Sequence, residues 1–198
     1  MNRKYLEAFL IAVLCIAFIA LCVLMATPAA AYEEPVRTEK QEALHEAAEI
    51  LRACGYAEDS AVIQALQTAW WEEQEALDII AKVIQNEADP QWCEWEHSVA
   101  VGAVVVNRVR SEYFPDTVKE VVEAPGQYLE SYTRNFDKTS HLAYEAAKAA
   151  LDGDHNVPGN AYWQDNKRQG CYVWKAFQLD TGWFQSTTYI CCGIVGVD

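Results

Sequence analysis

Basic side chains are scarce in this chain. Its 15 Lys and Arg stand against 29 Asp and Glu, a formal net charge of -14 over 198 residues. Phosphate recognition draws on clustered cations, so this balance argues against a nucleic-acid partner. It argues equally against docking by charge alone on anionic lipid or a teichoic-acid-like polymer. Familiar catalytic signatures are missing as well. There is no G-x-S-x-G elbow to hold a nucleophilic serine and no phosphate-binding glycine loop. C-x-x-C and H-x-x-x-H spacings are absent, so neither a metal nor another cofactor is expected. The four histidines, His45, His97, His141 and His155, are scattered and suit surface or capping roles. What is abundant is apolar: 52% of residues are hydrophobic, too many for a disordered chain, and seven Trp and ten Tyr are among them. The length fits one domain plus appendages.

The N-terminus reads as a targeting segment. Asn2-Arg3-Lys4 is a short basic region, and the uncharged run Ala8 to Ala26 follows it. Small residues at Ala29 and Ala31 fit an A-x-A cleavage site before Tyr32. The run is also long enough to span a bilayer, so residues 1–31 are a signal peptide or a membrane anchor. Either way the rest of the chain is expected to be secreted or cell-wall associated, touching membrane only through residues 8–26 if they stay uncleaved.

Helical periodicity covers Thr38 to Cys54, and Gly55 stops it. A second helix starts near Asp59-Ser60 and reaches Trp70; from Glu72 an apolar stripe resumes with Leu77, Ile80 and Ile84. Residues 32–70 are therefore read as a helical N-terminal extension and 71–198 as the main domain. The almost wholly apolar stretch His97–Arg110 reads as a buried helix. Residues 140–151 are Ala-rich and helical. Beyond them, segments around Tyr162-Trp163, Cys171–Trp174 and Thr187–Ile190 have strand composition. Helices first and a small sheet last predict an α+β domain.

In an exported chain the five remaining cysteines, Cys54, Cys93, Cys171, Cys191 and Cys192, point first to disulfides. Cys171 and the Cys191-Cys192 pair fall on strand-like segments that a hairpin could bring within disulfide range. A bridge from Cys171 to one of that pair is expected, with Cys93 or Cys54 as partner for the other.

Glu87 is the carboxylate that stands out. It directly follows an apolar helix and precedes a second apolar segment. A carboxylate pressed against apolar surface is harder to ionise and can serve as a general acid. A solvated Glu at a helix end is the alternative reading.

Five blocks in order carry a family resemblance: Ile80–Ala88 (IAKVIQNEA), Val99–Val109 (VAVGAVVVNRV), Phe114–Val122 (FPDTVKEVV), Gly126-Gln127-Tyr128, and Ala146–Gly153 (AAKAALDG) leading to Ala161-Tyr162-Trp163. Over about residues 79–163 the chain resembles the cell wall hydrolase family of spore-cortex-lytic enzymes, the SleB/CwlJ type. That resemblance implies a lysozyme-like or resuscitation-factor-like α+β fold with a small antiparallel sheet. It implies attack on peptidoglycan glycan strands, commonly as a lytic transglycosylase, and it maps the catalytic acid onto Glu87. Two departures stand out. The usual Glu-Ala-x-Gly-Glu continuation is Glu87-Ala88-Asp89-Pro90-Gln91 here, and the usual His-x-Phe ending is replaced by Thr187-Thr188-Tyr189-Ile190-Cys191-Cys192.

A single carboxylate suits transglycosylation, because a hydroxyl of the substrate itself can attack the anomeric carbon. Hydrolysis normally needs two carboxylates, and Asp89 is the nearest candidate for a second acid. Gln127 and Tyr128, after a Pro-Gly turn, are candidates for a groove wall, and Tyr162 and Trp163 for stacking on sugar faces. Asn107 and Arg108 are expected to cap their helix or tie down a neighbouring loop. The rival readings are an N-acetylmuramoyl-L-alanine amidase and a non-catalytic wall-binding module.

Overall fold

The computed structural model describes residues 35–128, 133 and 139–196, so the targeting segment and its candidate span lie outside the described residues. No described helix is long and apolar enough to cross a membrane. Residues Val36–Asp198 form one compact unit.

Five described helices come first. Helix α1 (Glu39–Ala53) opens with a capping box: Thr38 Oγ1 accepts from Gln41 N, and Gln41 Oε1 accepts from Thr38 N. Helix α2 (Ala61–Glu87) is capped by Ser60 and runs unbroken for 27 residues. The sequence reading breaks this stretch near residue 71, because the apolar stripe fades there. Nothing in Trp71-Glu72-Glu73-Gln74-Glu75-Ala76 stops a helix, and most of it favours one. The boundary expected between residues 70 and 71 therefore falls inside one helix.

Helix α3 (Trp95–Val109) is buried from His97 through Arg108. Short α4 (Val118–Glu123) is capped by Thr117, and α5 (His141–Asp152) by Ser140. Gly153 closes α5 at φ 80°, where a left-handed residue satisfies the helix end.

The centrality of α3 explains its lack of a polar face. On one side Val101 and Val105 pack with Leu77, Ile80 and Ile84 of α2, Val121 and Val122 of α4, and the alanines of α5. On the other, Ala100, Ala103 and Val104 meet Ala161, Phe177, Ile190 and Cys192 of the sheet. A helix enclosed on both sides must be apolar all round. At Gly102 a Cβ would stand 2.9 Å from the Ala150 Cβ, so this glycine permits the close approach of α3 and α5.

Three antiparallel strands follow: β1 (Ala161–Asp165), β2 (Tyr172–Asp180) and β3 (Gln185–Cys192), in the order β1-β3-β2. The helices-then-sheet order makes this an α+β fold, as the sequence predicts. Strand β2 pairs with β3 along its whole length, whereas β1 pairs only from Tyr189 to Cys192. The segment Gln185–Thr188 thus continues beyond β1.

The expected disulfides are not formed. Cys54, Cys93, Cys171, Cys191 and Cys192 are all free thiols. Register is the reason. Tyr172 pairs with Cys192 and Val173 with Cys191, so Cys171 falls opposite Gly193. A Cβ on Gly193 would lie 2.9 Å from Cys171 Sγ, which places the thiol over glycine. Cys191 and Cys192 are buried in the sheet. Burial pushes the thiols of Cys93 and Cys192 up, so both stay protonated and unreactive at neutral pH.

Candidate active site

Glu87 is the last residue of α2. The turn that follows is pinned, because Ala88 is buried and its carbonyl accepts from Ser98 Oγ of α3 at 2.6 Å. One turn earlier, Gln85 Oε1 accepts from Ser140 N at 2.8 Å, tying the end of α2 to the start of α5. The helix end is therefore rigid while the Glu87 side chain is exposed. The expectation of a carboxylate pressed on apolar surface is corrected: Glu87 continues the helix face that buries Ile80, Val83 and Ile84, but as the last residue of α2 it stands exposed beyond the core.

Glu87 stands at the edge of a cleft of about 370 Å³. Arg108 of α3 reaches it from below, and the loop Gly126-Gln127-Tyr128 forms one wall. Gln164 and Asp165 at the end of β1, with Asn166, form another. Ser186, Thr187 and Thr188 of β3 complete it with hydroxyls. The departure at the C-terminus thus has a definite place: Thr187 and Thr188 belong to the cleft, and Ile190 and Cys192 to the core behind it.

A hydrogen-bonded chain leads from the interior to the carboxylate. Buried Tyr128 donates its hydroxyl to Gln164 Oε1 at 3.2 Å, and Gln164 Nε2 donates to Glu87 Oε2 at 3.5 Å. Burial pushes the Tyr128 phenol up; Arg108 opposes the shift and the Glu87 charge adds to it. The phenol is therefore a donor at neutral pH. Its donation occupies the amide oxygen of Gln164, so the amide nitrogen must face Glu87.

Arg108 is 3% exposed. Its Nε donates to the Tyr162 carbonyl at 2.7 Å, and Nη1 donates to Gln127 Oε1. Phe114, Tyr128 and Trp163 enclose the guanidinium, with centroids 5.4–5.7 Å away. Arg108 thus fixes both the 126–128 loop and β1. Its neighbour Asn107 donates to the carbonyls of Pro158, at 2.8 Å, and Ala161. Together they hold the loop entering β1.

The structure gathers Glu87, Gln127 and Tyr128 around one cleft, although Tyr128 faces Gln164 and not open solvent. It does not bring in Asp89, Tyr162 or Trp163, none of which lines the cleft. Asp89 is a turn residue: Oδ2 accepts from Gln85 Nε2 at 2.6 Å and Oδ1 from Gln91 N at 2.9 Å. The proline that departs from the usual continuation turns the chain there. Tyr162 packs on Phe114 at 5.4 Å, and Trp163 Nε1 donates to the Gly193 carbonyl at 2.8 Å, so both rings serve the scaffold and not a sugar face.

The cleft's second carboxylate is Asp165, which accepts from Gln169 Nε2. Gln164 and Asp165 are not among the residues the sequence singles out, since the aromatic pair just before them carries the stronger pattern. A polar pair ending a short strand was the available signal. Among the described residues no group of three His, Cys, Asp or Glu side chains is arranged to hold a metal ion. A larger groove of about 760 Å³ lies between α1, α2, α4 and the end of α5. Its charges are largely mutually engaged, as in Lys40–Glu73 at 2.7 Å.

A rigid α+β scaffold that presents one carboxylate at the lip of a hydroxyl- and amide-lined cleft is built like an enzyme acting on a polar polymer. The model of the family described as Cell Wall Hydrolase matches residues 94–189 of this chain, which bears out the resemblance to the SleB/CwlJ-type cell wall hydrolases. That match supports a peptidoglycan hydrolase. Glu87 lies seven residues before the matched stretch; Arg108, Gln127, Tyr128, Gln164 and Asp165 lie within it. Among solved structures, the catalytic domain of the Bacillus cereus SleB protein is similar: 23% identity, TM-score 0.44, over 60% of this chain and 91% of that one. Comparison with curated proteins finds no match.

Proposed function

We propose that this chain cleaves the MurNAc-GlcNAc glycan strand of peptidoglycan as a lytic transglycosylase, with Glu87 as its acid and base. The observation that carries this reading is the placement of Glu87: an exposed carboxylate on a pinned helix end, oriented by Gln164, at the mouth of a cleft. The Glu87 carboxyl gives its proton to the glycosidic oxygen as the bond to the anomeric carbon breaks. The C6 hydroxyl of the same muramic residue attacks that carbon and returns its proton to Glu87. No water is consumed, the product ends in a 1,6-anhydro ring, and the enzyme is restored. Holding the sugar so that its own hydroxyl lies in line replaces a diffusing nucleophile.

Asp165 favours one second reading, hydrolysis by two carboxylates. Mass spectrometry of digested peptidoglycan separates the two. Anhydro-muropeptides support transglycosylation; free reducing ends move the assignment to a muramidase; released stem peptides move it to an amidase. The same reading takes residues 1–31 as an export signal or anchor, and fractionation of cells producing the tagged chain tests that independently.

A further inference from the structure

Trp183 is 99% exposed and Phe184 60% exposed, side by side at the tip of the β2–β3 hairpin. Large aromatic side chains left in water gain nothing for the fold. The turn that carries them is nevertheless held firmly. Asp180 Oδ1 accepts from Gly182 N at 2.8 Å, and its Oδ2 accepts from Gln185 Nε2 at 2.7 Å. Thr181 N donates to the Phe184 carbonyl at 3.0 Å, and Phe184 N donates to Thr181 Oγ1 at 3.2 Å. Two exposed rings on a preorganised turn are in place before any ligand arrives.

The tip is also continuous with the cleft. Ser186, Thr187 and Thr188 line the cleft wall on the stretch of β3 that runs beyond β1. Trp183 is three residues from Ser186, so the two Cα atoms are at most about 11 Å apart. From Asp180 to Thr188 the chain has one carboxylate and no Lys or Arg, within a molecule of net charge -14. That electrostatic character repels an anionic bilayer and a second copy of this chain alike. Flat rings beside hydroxyl and amide side chains suit the apolar CH face and the hydroxyl edge of a pyranose.

Building on the glycan-cleavage reading, we infer that Trp183, with Phe184, forms an outlying sugar subsite that receives the glycan strand where it leaves the cleft. The subsite rewards strand length: a fragment too short to reach the tip gains nothing from it. The test uses the full chain carrying Glu87→Gln, so that ligand is not consumed, and measures dissociation constants for peptidoglycan glycan fragments of one, three and six disaccharides. Affinity rises with length in the parent, and adding Trp183→Ala weakens the longest fragment roughly tenfold while Trp183→Tyr keeps most of the gain. Because the ring is fully exposed, unfolding midpoints of the three chains coincide. Equal affinity of parent and Trp183→Ala for six disaccharides overturns the subsite alone, as does Trp183-dependent binding to phosphatidylcholine vesicles without any length effect. Failure of the parent to bind fragments of any length overturns the glycan reading with it.

Discussion

Gln164 and Glu87 are 77 positions apart in the chain and meet side chain to side chain, Nε2 to Oε2 at 3.5 Å. The contact joins the end of β1 to the end of α2 across the cleft, and Tyr128 fixes the amide from behind. Sheet and helices are thereby coupled at the one point where the proposed chemistry needs them.

Glu87→Gln is expected to lower glycan cleavage by about 10²–10⁴-fold, since the amide has the same shape and no acidic proton. Steady-state assay of the variant, with circular dichroism to show that it is folded, checks this. Wild-type turnover by a folded Glu87→Gln protein would remove Glu87 from the mechanism.

Gln164→Ala leaves Glu87 in place and removes its orienting donor. The expected result is a kcat lower by roughly tenfold with little change in KM, the signature of a misplaced catalytic group. Tyr128→Phe should show the same split more weakly, because the amide keeps its contact with Glu87 but can flip. A change confined to KM would make Gln164 a substrate contact and not a positioning residue.

Asp165→Asn discriminates the one-carboxylate from the two-carboxylate mechanism. Under transglycosylation the variant retains activity within about tenfold of wild type and still yields anhydro ends. A drop as deep as that of Glu87→Gln, with reducing-end products in the wild type, would establish hydrolysis.

Gly102→Ala tests the α3–α5 contact. The new methyl would meet Ala150 Cβ at 2.9 Å and Ile84 Cδ1 at 3.0 Å, and both neighbours are buried. Overpacking costs about 1–3 kcal/mol and the gain in helix propensity returns about 1 kcal/mol, so overpacking wins. A lower midpoint in urea at unchanged slope is the expected result.

His97 makes stability pH-dependent. Its ring is 4% exposed, stacks on Phe177 with centroids 4.6 Å apart, and its Nε2 has no partner. Lys175 lies over the other ring of that stack, 4.8 Å from the Phe177 centroid, and is itself paired with Glu96. Burial lowers the His97 pKa to about 4, against 6.5 in the unfolded chain. Below pH 6.5 the unfolded chain therefore binds more protons than the folded one. Stability from the neutral ring is complete above that pH and is lost as pH falls towards 4, up to about 3 kcal/mol. Denaturation of wild type and His97→Phe between pH 7 and 4 measures it, and parallel curves would show that His97 contributes nothing.

What the sequence decided by itself is whatever rests on local pattern. The unbroken apolar run of α3 needed no partner to be read as a buried helix, because only a segment enclosed on every side tolerates so little polarity. Thr38 and Ser60 marked helix starts through the hydrogen bonds their side chains accept, and Gly55 marked an end through its backbone freedom. The α+β order followed from where helical period gave way to strand composition. Glu87, Gln127 and Tyr128 stand out in the sequence through the resemblance of their blocks.

Only the tertiary structure could decide the rest. Whether Cys171 meets a cysteine or Gly193 depended on a register that one residue of slip would change. Asp89, two residues from Glu87, went to a turn, while Asp165, 78 positions away, entered the cleft. Tyr162 and Trp163 were claimed by Phe114, Arg108 and Gly193, and the outward aromatic role fell to Trp183 at the hairpin tip. Side chains that meet across long sequence separation are set by how α3 lies between the helices and the sheet, and no local pattern encodes that placement.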